Sequence, residues 1–205
     1  MNWKSCLVPF AIGLIGVAAP ATVSAQAKPE GGKPEAKATT GKVGEMVPEW
    51  KGKVGRGDKT ADFTTTKNEK PTVYVLVGVT CPATGPYAER LAALEAAYTE
   101  KGVDFVYVYC NQTETLDQKK KFHKEKKFTA ALMNDEGAAF TQKLGANKTG
   151  LTLIADKSGK VVYRGGIDDN KDSAAKVKSK HVANALDEIL AGKAVSNPTN
   201  NDVFG

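Results

Sequence analysis

Thr72 to Val79 (TVYVLVGV) are β-branched, aromatic or apolar almost without a break, the pattern of a strand buried on both faces of a sheet. The strand runs straight into Thr80-Cys81-Pro82, and from about Gly85 the hydrophobic period changes. Tyr87, Leu91, Leu94 and Tyr98 then recur at helical spacing, with Glu89, Arg90, Glu95 and Glu100 on the other side. Gly102 closes that helix, and Val103 to Tyr109 (VDFVYVY) reads as a second buried strand. Strand, helix and strand in this order make a right-handed crossover between parallel strands.

The remaining elements follow the same logic. Thr115 to Lys127 reads as a helix with a thin apolar stripe, and Ala138 to Leu144 as a short helix stopped by Gly145. Leu151 to Ala155, the turn Asp156-Lys157-Ser158-Gly159 and Lys160 to Tyr163 form an antiparallel hairpin. Val182, Ala185, Leu186, Ile189 and Leu190 line one face of a last helix that Gly192 ends. The expected class is α/β, a central mixed β-sheet flanked by helices in the thioredoxin arrangement.

Ahead of this domain the chain reads as an address and a tether. Lys4 precedes an apolar run from Cys6 to Ala19, too short to span a bilayer comfortably, and small residues offer cleavage sites after Ala25 or Ala27. Residues 1–25 are therefore expected to be a signal peptide, with no stable membrane insertion after its removal and a periplasmic or secreted destination. Residues 26–42 are Lys, Pro, Glu, Gly, Ala and Thr, with little to bury, and are expected to be a disordered linker. Residues 43–205 suffice for one domain with a real core.

The formal net charge of +6 is modest, and its one dense cluster, Lys119 to Lys127 (KKKFHKEKK), suits a solvated helix face. Nucleic-acid binding calls for Arg or a stripe of stacking aromatics, which the cluster lacks, so no nucleic-acid partner is expected. With Cys6 in the signal segment, the domain keeps only Cys81 and Cys110.

A cysteine just after a buried strand and just before a helix sits where free N–H groups and the helix dipole favour an anion. The thiolate is the nucleophile, so such a site suits attack on a disulfide or a peroxide. Cys110 ends the neighbouring strand and should emerge at the same sheet edge, either as a buried strand-end residue or as a thiol that resolves oxidised Cys81.

Thr80 to Leu91 (TCPATGPYAERL), Gly102 to Asn111 (GVDFVYVYCN), Leu144 to Thr149 (LGANKT) and Val161 to Asp169 (VVYRGGIDD) together resemble the exported branch of the redoxin family. That family groups thioredoxin-like proteins with alkyl hydroperoxide reductase and thiol-specific antioxidant domains. The resemblance implies a thioredoxin fold with the reactive cysteine at Cys81. Three positions depart from the pattern. Thr84 stands where a dithiol thioredoxin has its second cysteine. Gly78 stands where typical peroxiredoxins have a Thr. Gly150 follows Thr149 where thioredoxin folds usually carry a cis-proline.

The leading expectation is an exported thiol oxidoreductase, peroxiredoxin-like, acting on a peroxide or protein disulfide with an external thiol as reductant and no cofactor. A redox-inactive binding module is the rival. Copper binding through Cys81, Cys110 and His123 or His181 is a third class, although both histidines read first as surface residues. Arg164, Asp168 and Asp169 read as a turn or a surface ion pair.

Overall fold

The computed structural model describes residues 40–66 and 68–204, so the expected signal peptide and most of the expected linker lie outside the described residues. Among the described residues, Thr40 and Gly41 of the expected linker already contact the domain. The Thr40 amide and hydroxyl donate to Glu45, and Arg164 donates to the Gly41 carbonyl.

Seven strands make one mixed sheet: β1 (Lys51–Arg56), β2 (Lys59–Thr64), β3 (Thr72–Val77), β4 (Asp104–Tyr109), β5 (Ala131–Asn134), β6 (Thr152–Ala155) and β7 (Val161–Gly165). Their spatial order is β2-β1-β5-β4-β3-β6-β7. The expected crossover is present, with β3 and β4 parallel and Val77 in register with Tyr109. β6 pairs antiparallel with β3 and with β7, completing the expected hairpin at the other edge.

Four helices cover the sheet: α1 (Thr84–Thr99), α2 (Leu116–Glu125), α3 (Ala139–Lys143) and α4 (His181–Leu190). Alternation along β3 and β4 divides the core in two. Val73, Val75 and Val77 with Phe105, Tyr107 and Tyr109 meet the apolar faces of α1 and α4. Tyr74 and Leu76 with Val106 and Val108 meet Phe140 and Leu144 of the α3 segment on the other side. Each fully buried large side chain contributes about 1.5–3 kcal/mol, so β3 and β4, with Tyr74, Leu76, Tyr107 and Tyr109 among them, anchor the site between them.

Three strands were not expected. β1 and β2 are polar, and Val54 is the one buried residue of β1. β5 has four residues and shows no period that sequence can read. Tertiary pairing makes all three into strands: β5 docks parallel to β4, and β1 adds antiparallel to β5.

Several side chains expected on the surface are buried. Glu95 of α1 points inward and accepts hydrogen bonds from Tyr107 (2.9 Å) and the Thr129 amide (2.9 Å). In α2, which begins with a Thr115–Gln118 capping box, Lys119 is buried and donates to Asn134 at 2.8 Å. His123 is buried rather than on the surface. Its Nε2 donates to the Ala130 carbonyl (3.1 Å), so its Nδ1 accepts from Tyr109 (3.2 Å). Burial holds this imidazole below its ordinary pKa and keeps it neutral, against the opposing pull of the Ala130 carbonyl. Arg164 is no surface partner either, since it donates to the Leu144 carbonyl at 2.8 Å and to Gly41.

Candidate functional site

β3 ends at Val77, four residues before Cys81, and α1 starts at Thr84, three residues after it. Cys81 thus stands in the turn that leads into the helix, with Pro82 also ahead of the first helical residue. Hydrogen-bond donors nonetheless gather around its sulfur. The amides of Ala83 and Thr84 point at the thiol, as do the hydroxyls of Thr84 and Thr149. Cys81 Sγ and Thr149 Oγ1 lie 2.8 Å apart.

Partial burial pushes the Cys81 thiol up, but the Thr149 hydroxyl, the Ala83 and Thr84 amides and the Thr84 hydroxyl together outweigh it and hold the pKa below the ordinary value of 9.0. Thr84 therefore does more than occupy the place of a second cysteine. Buried, it accepts from the Gly78 amide at 3.3 Å and sets its hydroxyl beside the thiol. Thr149 comes from the loop before β6, and its place ahead of the usual cis-proline position of thioredoxin folds is the one signal for it in the sequence.

Gly78 lies at the centre of this arrangement. A Cβ there would sit 3.4 Å from Cys81 Cβ, 3.5 Å from Glu114 Oε1 and 3.5 Å from Thr149 Cγ2. Glu114, which the sequence did not single out, is buried behind the turn. Its Oε1 accepts from the Thr80 amide (2.9 Å), the Thr80 hydroxyl (2.9 Å) and Asn111 Nδ2 (3.0 Å), which ties the Cys81 turn to the loop after β4. Its Oε2 is buried without a hydrogen-bond partner. The only signal for it in the sequence is the Asn111-x-x-Glu114 spacing after a strand, a pattern too common to be read as a site.

Cys110 leaves the same sheet edge, as expected, and both cysteines are free thiols. Their surroundings differ. Cys110 continues the alternation of Val106 and Val108, toward the face that α3 covers, while α1 covers the opposite one. Burial pushes its thiol above the ordinary value. The Thr141 hydroxyl opposes that rise, and the Asp135 and Glu114 carboxylates add to it.

The other expected residues lie apart from the thiols. His181 Nε2 is 2.8 Å from Asp202, and its Nδ1 is 3.1 Å from Ser179. Among the described residues no three His, Cys, Asp or Glu side chains gather in a metal-holding arrangement, so Cys81, Cys110 and a histidine do not form the copper set. Asp168 is buried rather than part of a surface pair. It meets Arg90 of α1 at 2.5 Å and accepts from Tyr87 at 3.2 Å. Asp169 caps the Lys178 amide.

In front of Cys81 lies an open cleft of about 440 Å³, lined by Pro82, Ala83, Pro86, Lys148, Lys171 and Phe204 among others. A partly exposed, acidified thiol in such a cleft is suited to nucleophilic attack on a sulfur or oxygen of an incoming molecule.

Comparison with solved structures finds an uncharacterized conserved protein from Geobacillus kaustophilus at 23% identity and TM-score 0.69, covering 77% of this chain and 87% of that one. A hypothetical protein from Sinorhizobium meliloti is similar at 21% identity and TM-score 0.67, over 77% of this chain and 91% of that one. The reduced 2-Cys peroxiredoxin of Plasmodium vivax is similar at 14% identity and TM-score 0.56, over 73% and 82%. At these identities the likeness establishes the fold, which is the expected thioredoxin fold. A comparison with curated proteins finds no match. Among protein families, Redoxin matches residues 42–183, a span that holds the Cys81 turn, the parallel strands β3, β4 and β5, and the Thr149 loop. The chain belongs to the redoxin family.

Proposed function

We propose that this protein is an exported thiol-dependent oxidoreductase, periplasmic or secreted, in which the Cys81 thiolate attacks a peroxide or a disulfide. The observation that carries the reading is the convergence of two amides and two hydroxyls on one partly exposed thiol. Export rests on the apolar run and small-residue cleavage sites of the first 27 residues.

With a peroxide, the thiolate sulfur bonds the terminal oxygen as the O–O bond breaks. Cys81 is oxidised to a sulfenic acid, and the leaving alkoxide takes a proton to depart as an alcohol or water. With a disulfide, the sulfur bonds one sulfur of the substrate and releases the other as a thiol, leaving a mixed disulfide on Cys81. Because position 84 is a threonine, resolution needs another thiol. Cys110 supplies it, or an external reductant does. This chemistry needs no metal and no organic cofactor.

The test is consumption of hydrogen peroxide, an organic hydroperoxide and a small disulfide by the full chain and by Cys81→Ser and Cys110→Ser. Cys81→Ser should abolish every reaction. Cys110→Ser should keep the first attack and accumulate oxidised Cys81. Equal rates in all three proteins would remove the enzyme reading and favour a redox-inactive binding module.

A further inference from the structure

Beyond α4 the chain does not leave the domain but returns across the sheet edge toward Cys81. Arg164 of β7 donates its amide to the Pro198 carbonyl (2.8 Å) and accepts from the Asn200 amide (3.3 Å), so the segment lies beside β7 like a short parallel strand. Asn200 accepts from the Gly166 amide (2.9 Å), and its Nδ2 is 2.6 Å from the Tyr163 hydroxyl. Asp202 is held by His181. Val203 packs against the α3-side core and Phe204 against the α1-side core.

Three glycines make room for this strap. A Cβ on Gly166 would fall 1.8 Å from the Asp202 carbonyl oxygen, one on Gly165 2.5 Å from the Asn200 side chain, and one on Gly150 2.8 Å from the Phe204 carbonyl oxygen. Separations under about 3 Å between such atoms exceed what packing tolerates, so a side chain at Gly150 or Gly166 would displace the strap backbone, and one at Gly165 would turn the Asn200 side chain aside. The departure at position 150 thus acquires a reason: Gly150, at φ +78°, lets the Phe204 backbone settle against the residue next to Thr149.

The strap ends in the Cys81 cleft. The Phe204 ring stacks on Tyr87 of α1, with centroids 6.3 Å apart and planes 19° apart, and lines the cleft together with Pro82, Ala83 and Pro86. These apolar groups form one wall. On the rim stand Lys148 and Lys171, the second balanced by Asp172 at 3.8 Å, which leaves Lys148 as the unbalanced charge.

We propose that the strap Pro198–Phe204 is the specificity element of the Cys81 cleft, with Phe204 selecting substrates that carry an aromatic-sized apolar group beside the reacting bond and Lys148 favouring an anionic substituent on it. The proposal rests on the reading of Cys81 as a nucleophile. A hydrophobic contact of this size discriminates by roughly 10-fold or more, and an exposed lysine by about 2- to 5-fold.

The test uses the full chain with Cys6→Ser and Cys110→Ser, so that Cys81 is the sole thiol. It is reacted with dithiobis(nitrobenzoate), which is aromatic and anionic, dithiodipyridine, which is aromatic and neutral, and hydroxyethyl disulfide, which is small and aliphatic. Each rate is divided by that of free glutathione with the same disulfide. The unaltered strap should favour both aromatic disulfides over the aliphatic one. Phe204→Ala should reduce that preference about 10-fold while leaving the rate with iodoacetamide unchanged. Phe204→Leu should retain part of it. Gly150→Ala, which leaves the phenyl ring in the sequence but displaces the strap, should match Phe204→Ala. Lys148→Ala should lower the ratio of the anionic to the neutral aromatic disulfide by about 2- to 5-fold. A preference unmoved by Phe204→Ala and Gly150→Ala, or a uniform fall across all three disulfides, overturns the proposal. Absence of any attack faster than glutathione's, iodoacetamide included, removes the nucleophile reading itself, and the strap proposal with it.

Discussion

Cys81 and Cys110 leave the same edge of one sheet, after strands that are hydrogen-bonded neighbours, and yet they meet opposite chemistry. Cys81 stands in the turn ahead of α1: the Ala83 and Thr84 amides and two hydroxyls face its sulfur, and an open cleft lies in front of it. Cys110 sinks toward α3, where the Asp135 carboxylate is already spent on capping Phe140 and Thr141, and where nearby negative charge works against a second anion. Strand-end position alone does not make a thiol reactive. What decides is whether donors or carboxylates face it, and how much water it keeps.

The largest effect that would break this contrast is removal of the attacking sulfur. Cys81→Ser should lower peroxide and disulfide consumption by at least roughly 10⁴-fold, the scale on which losing a nucleophile costs an enzyme. Residual turnover close to that of the unaltered chain would mean that Cys110 is reactive where it stands.

Asp135→Ala attacks the other neighbourhood. Its buried carboxylate accepts from the Phe140 amide (2.9 Å), the Thr141 amide (2.9 Å) and the Thr141 hydroxyl (2.7 Å). Orphaning these donors should cost about 3 kcal/mol, read as a lower urea midpoint. Cys110, relieved of a nearby charge, should become more acidic in the same variant, while Cys81 should keep its alkylation profile.

Thr149→Val sharpens the comparison at Cys81 by removing one donor while nearly keeping the volume. A hydrogen bond to a charged group contributes about 1.5 kcal/mol, so the Cys81 pKa should rise and its rate at neutral pH should fall, by up to about 10-fold. Thr141→Val should leave Cys81 alone. An unchanged Cys81 pKa in Thr149→Val would shift the credit to the helix amides and Thr84.

In single-cysteine variants, alkylation followed against pH should inflect below 9.0 for Cys81 and above 9.0 for Cys110, because only the thiolate reacts. Reversal of that order would contradict the environments described above. The smallest effect is expected from Cys110→Ser on the first attack by Cys81, a change of under about 2-fold, since mutations away from a site's own contacts are close to neutral. A tenfold slowing in a burst measurement would place Cys110 in the attack itself.

Much of the frame was legible in the sequence. β3, α1, β4 and the hairpin β6–β7 were readable because buried parallel strands show as unbroken apolar runs and an amphipathic helix shows its period. The junction of β3 and α1 located Cys81 beside the amides of the helix start. β1, β2 and β5 were not readable, since polar or four-residue strands owe their form to the neighbour they pair with. Glu95, Lys119 and His123 were misplaced for a related reason. A charged or polar residue on a helix is expected to face water, and only a partner brought from far along the chain, such as Tyr107, Asn134 or Ala130, makes its burial favourable.

The sequence by itself determined that a cysteine would stand where a buried strand hands over to a helix, because local period and backbone polarity set that junction without help from distant residues. Only the tertiary structure decided what surrounds it. Thr149 arrives 68 residues later, Glu114 arrives 34 residues from the Thr80 it anchors, and Phe204 closes the cleft from the far end of the described chain. Such contacts depend on how helices and loops settle on the sheet, and no local pattern encodes where a single hydroxyl, carboxylate or ring will come to rest.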